Sequence, residues 1–322
     1  MSYRIYASAI TLAIIVAGTV SAQKPWKPGR TPDGQPDLQG IWTNNTLTPL
    51  ERPAQFQGKP VLSASEAAEY EKKAVEGRNR DRRDPNAEAD VSQAYNELFF
   101  DMGTRLARVD QTIRTSMIVD PPDGRIPPLT PEAQRKVEAI RADARLHPAD
   151  GPENRSLPER CLFWATAGPP MLPGPYNNTY QIYQAPGFVM ILTEMIHDAR
   201  IIPLDGRPHL PSSVTQWLGD SRGHWEGNTL VVDTSNFTPK TRFRGSDENL
   251  HVIERFTRVD QNTILYKFTI ENPTAFTKTW SGEIPFTATQ GPVYEYACHE
   301  GNYAMKDILA GARAEEQKQV QK

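Results

Sequence analysis

From about residue 176 onward, apolar and polar positions alternate with a period of two. The stretches "NTYQIYQ", "FVMILTEM", "ARIIPL", "VTQWLGD", "HWEGNTLVVDTSNF", "HVIERFTRV", "TILYKFTIEN", "FTKTWSGEI" and "VYEYAC" are short and rich in β-branched or aromatic residues. Turn residues separate them, as at Ala185-Pro186-Gly187, Asp205-Gly206, Glu226-Gly227-Asn228 and Asp260-Gln261-Asn262, and this marks them as strands. No helical period interrupts the run, so successive strands should pair antiparallel rather than through helical crossovers. The pattern predicts a mainly β fold: an antiparallel up-and-down, lipocalin-like (calycin-type) barrel of about eight strands over residues 176–305. A two-sheet sandwich is the alternative.

The first half reads differently. "MSYRIY" carries one positive charge, "ASAITLAIIVAG" is apolar, and "TVSA" supplies small residues before Gln23. This is the layout of a signal peptide over residues 1–22, and the apolar run is shorter than the roughly 20 residues a membrane span needs. The expectation is a periplasmic or secreted protein with no integral membrane segment after cleavage. Residues 23–175 form a Pro-rich, partly helical region packing on the barrel, and residues 306–322 a C-terminal tail. Within the arm of residues 23–53, Leu38, Ile41 and Trp42 are too apolar for a free tail and predict docking. "SASEAAEYEKKAVEG" predicts one helix, with Ser63 or Ser65 as cap. "TPEAQRKVEAIRADAR" predicts another, with Thr130 as N-cap and Pro131 at its first position. The run "NRDRRDPNAEAD" between them reads as a solvated charge run.

One hairpin allows faces to be assigned. With Gln261 centring the turn, Val259 pairs with Thr263, Phe256 with Tyr266, Glu254 with Phe268 and Val252 with Ile270. Side chains alternate, so Val252, Glu254 and Phe256 share the aromatic-rich, inward face with Ile264, Tyr266, Phe268 and Ile270. Glu254 is then a carboxyl among aromatics, where burial raises the pKa and suits it to hold or take a proton. The bland reading is a structural ion pair with an inward Arg. Arg255 and His251 point outward in this register.

Composition narrows the function classes. A net charge of −3 and a pI near 6.1 argue against nucleic acid, which wants a basic face. The two cysteines, Cys161 and Cys298, predict a disulfide in an oxidising compartment. Five of the six histidines, His197, His209, His224, His251 and His299, fall after residue 196 and offer acid/base groups near neutral pH. Glu254 and His299 are the candidate acid/base pair, with Arg255 and His251 as further catalytic candidates. Arg244, His224, Tyr266 and Arg200 are candidates for binding substrate or an oxyanion. No pair of ligands has metal spacing, and neither metal nor cofactor is expected. "GDSRG" at 219–223 matches a nucleophile elbow in letters only, because it leads into another strand rather than a helix.

The strings "PDGQPDLQGIW", "GPPMLPGPYNN", "MIHDARIIPLDGRPHLP", "WLGDSRGHWEGNTLVVDTSNF", "ENLHVIERFTRVD" and "YEYACHEGNY" together resemble an uncharacterised family of exported bacterial proteins. That resemblance implies export and a β-rich body, and brings no activity with it. The reading that follows from the residues is an exported enzyme doing lyase, isomerase or hydrolase chemistry on a small organic substrate in a barrel cavity. A non-catalytic carrier of an apolar molecule, or a structural or assembly protein, are the alternatives.

Overall fold

The structure, a computed structural model, describes residues 26–78, 85–88, 90 and 100–320. The signal-like segment and most of the charge run lie outside them. Alternation builds nine strands into one nearly closed antiparallel barrel-like sheet. In chain order they begin with β1 (Gly40–Thr43) in the arm. The other eight are β6 (Thr179–Ala185), β7 (Phe188–Thr193), β8 (Ala199–Pro203), β9 (Asp220–Glu226), β10 (Thr229–Ser235), β11 (His251–Asp260), β12 (Thr263–Glu271) and β13 (Trp280–Ala288). Their spatial order is β8-β7-β6-β1-β13-β12-β11-β10-β9. The short strands are β2 (Val61–Leu62), β3 (Arg108–Val109), β4 (Thr112–Arg114) and β5 (Ile118–Asp120); β2, β4 and β3 make a small separate sheet, and β5 pairs with β13.

Two expected strands are absent, and the reasons are local. "VYEYAC" has no place in the sheet, because β1 from the arm takes the free side of β13, pairing Trp42 with Ala288 and Thr43 with Thr287. The arm therefore does more than dock: Leu38 and Trp42 enter the main core, and β1 bridges β6 and β13. "VTQWLGD" is mostly irregular, with a turn at Trp217 and Leu218, and β9 starts only at Asp220, after Gly219 at φ 70. The last strand also runs past Ile284 to Ala288. Pro285 is tolerated there because it falls between the two short partners of that side of β13.

Both expected helices form. α1 (Ala64–Arg78) begins where the Ser63 hydroxyl accepts from Glu66 N and the Glu66 carboxylate accepts from Ser63 N, a reciprocal capping box. α2 (Pro131–Leu146) is capped by Thr130, whose side chain accepts from Ala133 N. The segment expected as a tail carries α3 (Tyr303–Val320). Among the described residues no helix is long and apolar enough to cross a membrane.

The β11–β12 register is the expected one, with Val252↔Ile270, Glu254↔Phe268 and Phe256↔Tyr266. The exception is at the turn, where a bulge between Arg258 and Asp260 pairs Asp260, not Val259, with Thr263. Inward-facing Phe256, Ile264, Phe268, Ile270, Trp280, Ile284 and Phe286 are fully buried and fill the interior. The sheet ends, β8 and β9, meet through side chains without ladder hydrogen bonds. A Cβ at Gly223 on β9 would lie 2.7 Å from Leu204 and 2.8 Å from Ile202, so a glycine lets this seam close.

Candidate functional site in the barrel interior

Alternation along β11 and β12 turns Glu254 and Tyr266 inward, and Arg200 reaches them from β8 at the seam. Glu254 is fully buried and Arg200 is 6 % exposed. The guanidinium meets the carboxylate as a fork, Nη1 to Oε1 at 3.2 Å and Nη2 to Oε2 at 2.6 Å. Tyr266 donates its hydroxyl to Glu254 Oε1 at 2.9 Å, and that hydroxyl accepts the backbone N–H of Met171, also at 2.9 Å. Asn44 Nδ2 donates to the Tyr180 hydroxyl at 3.2 Å and to the Met171 carbonyl at 3.3 Å. Burial, and then the negative Glu254 beside it, push the Tyr266 phenol well above its ordinary pKa. Burial does the same to Tyr180. Both stay neutral phenols near neutral pH, and of the two only Tyr266 hydrogen-bonds an ionisable group, Glu254.

The remaining candidates lie elsewhere. His299 is exposed on the loop after Cys298, and no hydrogen bond joins it to Glu254. Arg255 and His224 sit on the outer face and both bind Glu226, at 2.6 Å and 3.2 Å. Arg244 is exposed in a short turn, at φ 53. His251 also faces outward, as its register required. Cys161 and Cys298 form the expected disulfide. Tyr180 and Asn44 are members of the interior network that the sequence reading missed. The alternation of Tyr180 with Ile182 in "TYQIYQ", and of Trp42 with Asn44, was the available signal.

On the outer face, carboxylates and imidazoles alternate in a chain. His209 links Asp220 (3.0 Å) to Asp233 (2.9 Å), and His251 links Asp233 (2.9 Å) to Glu271 (2.9 Å). Arg222 also binds Asp220, at 2.6 Å. Every ring nitrogen faces a carboxylate, so these imidazoles have no free nitrogen to offer a substrate. The hydrogen bond to Asp233 above all, opposed by burial and helped by the one to Glu271, raises His251 to about 9. Asp233 is correspondingly lowered, first by His251. A folded value above the ordinary 6.5 means stability that is complete below about pH 6.5 and is lost as pH rises through 9. Full linkage would be about 3 kcal/mol; water around the chain reduces this to about 1–2 kcal/mol. Urea melts at pH 6 and pH 9.5 should differ by that amount in wild type and by much less in His251→Gln. Equal differences in the two proteins would contradict the assignment.

Among the described residues no group of three or more His, Cys, Asp or Glu is placed to hold a metal ion. An open groove of about 650 Å³ lined by Arg52, Gln57, Asp123 and Arg125 lies outside the barrel. Its arginines are spent internally: Arg52 binds Thr115 and the Pro122 carbonyl, and Arg125 the Arg52 carbonyl. The interior network is therefore the stronger candidate. No protein family, no curated protein and no solved structure matches this chain.

Proposed function

We propose that the chain is exported, that its barrel is of the lipocalin-like type, and that the interior performs acid/base chemistry on a small organic substrate. The observation that carries this reading is the Tyr266 hydroxyl. It bridges the Glu254 carboxylate and a second hydrogen-bonding partner inside the barrel. A substrate oxygen or nitrogen in place of that partner would exchange a proton with the phenol, and the phenol with Glu254. Arg200 holds the carboxylate in its fork and balances its charge. In this reading Tyr266, rather than His299, is the proton-exchanging partner of Glu254. Lyase, isomerase and hydrolase steps all fit. Export is supported by the apolar N-terminal run and by a disulfide, which persists in oxidising compartments.

The test is a screen of small carbonyl compounds and lactones in D₂O, read by proton NMR for exchange or turnover. Wild type should act on at least one compound, and Tyr266→Phe should be slower on it by about 10²–10⁴-fold. Wild type no faster than Tyr266→Phe on every compound would contradict the reading. The second reading is a structural or assembly protein, which the filling of the interior by Phe256, Phe268 and Phe286 favours. It predicts neither exchange nor turnover of any compound in the screen.

A further inference from the structure

Residues 167–172 are all buried yet form neither helix nor strand. Irregular chain normally runs over the surface, because its peptide groups need partners. Here Met171, with no exposure, enters the same core as Tyr180, Tyr266 and Phe286. Both its peptide groups are read by side chains from the barrel: its N–H by Tyr266 and its carbonyl by Asn44. The Asn44 Oδ1 is also buried and has no hydrogen-bond partner among the described residues. The site thus binds the N–H and the carbonyl that flank one apolar side chain, and has an acceptor left over that a second N–H would satisfy.

We infer that Met171 holds the place of the ligand, and that the site takes a peptide-like amide carrying an apolar side chain of about methionine's size. This rests on the interior being the working site, as proposed above. Residues 167–172 are then a tethered competitor. A tethered segment acts at an effective concentration of the order of millimolar, so the resting protein binds its ligand weakly until the segment moves aside. The segment's geometry also shows how to loosen it. Gly168 sits at φ 91, and a Cβ there would lie 2.5 Å from Met171 Cγ and 2.9 Å from Met171 N. An alanine at 168 is strained in its own backbone and pushes directly on Met171.

The probe is N-acetyl-L-methionine methylamide, which offers both N–H groups, the carbonyl and the side chain. Methyl propyl sulfide, which offers the side chain alone, is the control. In full-length wild type, NMR should show weak binding of the amide and faster hydrogen exchange at the Met171 N–H as the probe displaces it. Gly168→Ala should bind the amide about tenfold or more tightly than wild type. In that background Tyr266→Phe should lose about tenfold for the amide and nothing for the sulfide. Sulfide and amide binding equally well would mean only an apolar gap opened by the substitution, and would overturn the inference. If Gly168→Ala does not fold, the wild-type experiment decides: Met171 exchange unchanged at saturating probe overturns it as well. Binding is read without turnover. Its failure is therefore separate from a failure of the acid/base reading, which the D₂O screen decides.

Discussion

Reduction of the Cys161–Cys298 bond is expected to lower the unfolding free energy by about 5 kcal/mol in the chain-entropy account. The two cysteines are 137 residues apart, and the loop they close contains every barrel strand from β6 to β13. Cutting the bond frees the unfolded chain far more than it disturbs the folded one, because both ends have other anchors. On one side Ala167, Met195 and Ile196 form a small core with Trp164, Tyr176 and Tyr296 packed against it. On the other, Asn302 donates to the Glu159 carbonyl. The fold should therefore survive reduction with its melting temperature lowered by roughly 10 °C or more. Matched thermal melts with and without dithiothreitol, with thiols counted after each, measure this. Two titratable thiols and an unchanged melt would contradict it.

How far the sequence reveals this molecule depends on the range of the interactions involved. The β11–β12 hairpin is legible because register is a local property: the turn at Gln261 and the two-residue alternation place Glu254 beside Phe268 and opposite solvent. The bulge at Val259 is not, because nothing in "RVDQN" distinguishes a one-residue slip next to the turn from a regular ladder. Thr130 and Ser63 announce their helices for the same local reason. The strand that bridges β6 and β13 is not legible in the sequence. "YEYAC" has better strand composition than "GIWT", but competition for the edge of β13 is decided by tertiary packing, with Trp42 buried there. The site divides along the same line. Glu254 and Tyr266 share a face of one hairpin, and Arg200 was named without a partner. That it arrives across the seam from β8 follows only from near closure of the sheet. Met171 offers no side-chain chemistry to notice, and its place in the network follows only from the binding of its N–H and carbonyl by Tyr266 and Asn44.

The second large effect concerns the pair at the centre of that network. Removing either charge leaves the other buried without a counterion, which costs about 3–5 kcal/mol. Glu254→Leu strands the Arg200 guanidinium, and Arg200→Met strands the Glu254 carboxylate, in a buried site with no other charge among the described residues paired to either. Removing both is a different matter. Exchanging a buried ion pair for apolar side chains of similar volume is often neutral. Here it still leaves the Tyr266 hydroxyl without its acceptor, at about 1–3 kcal/mol. The measurement that bears most directly on the interior site is the double-mutant cycle over these two positions, read as unfolding free energies in urea. The structure predicts that the double variant is more stable than either single one, with a coupling of about 3 kcal/mol or more. Costs that simply add in the double variant would mean that Arg200 and Glu254 do not meet inside the barrel.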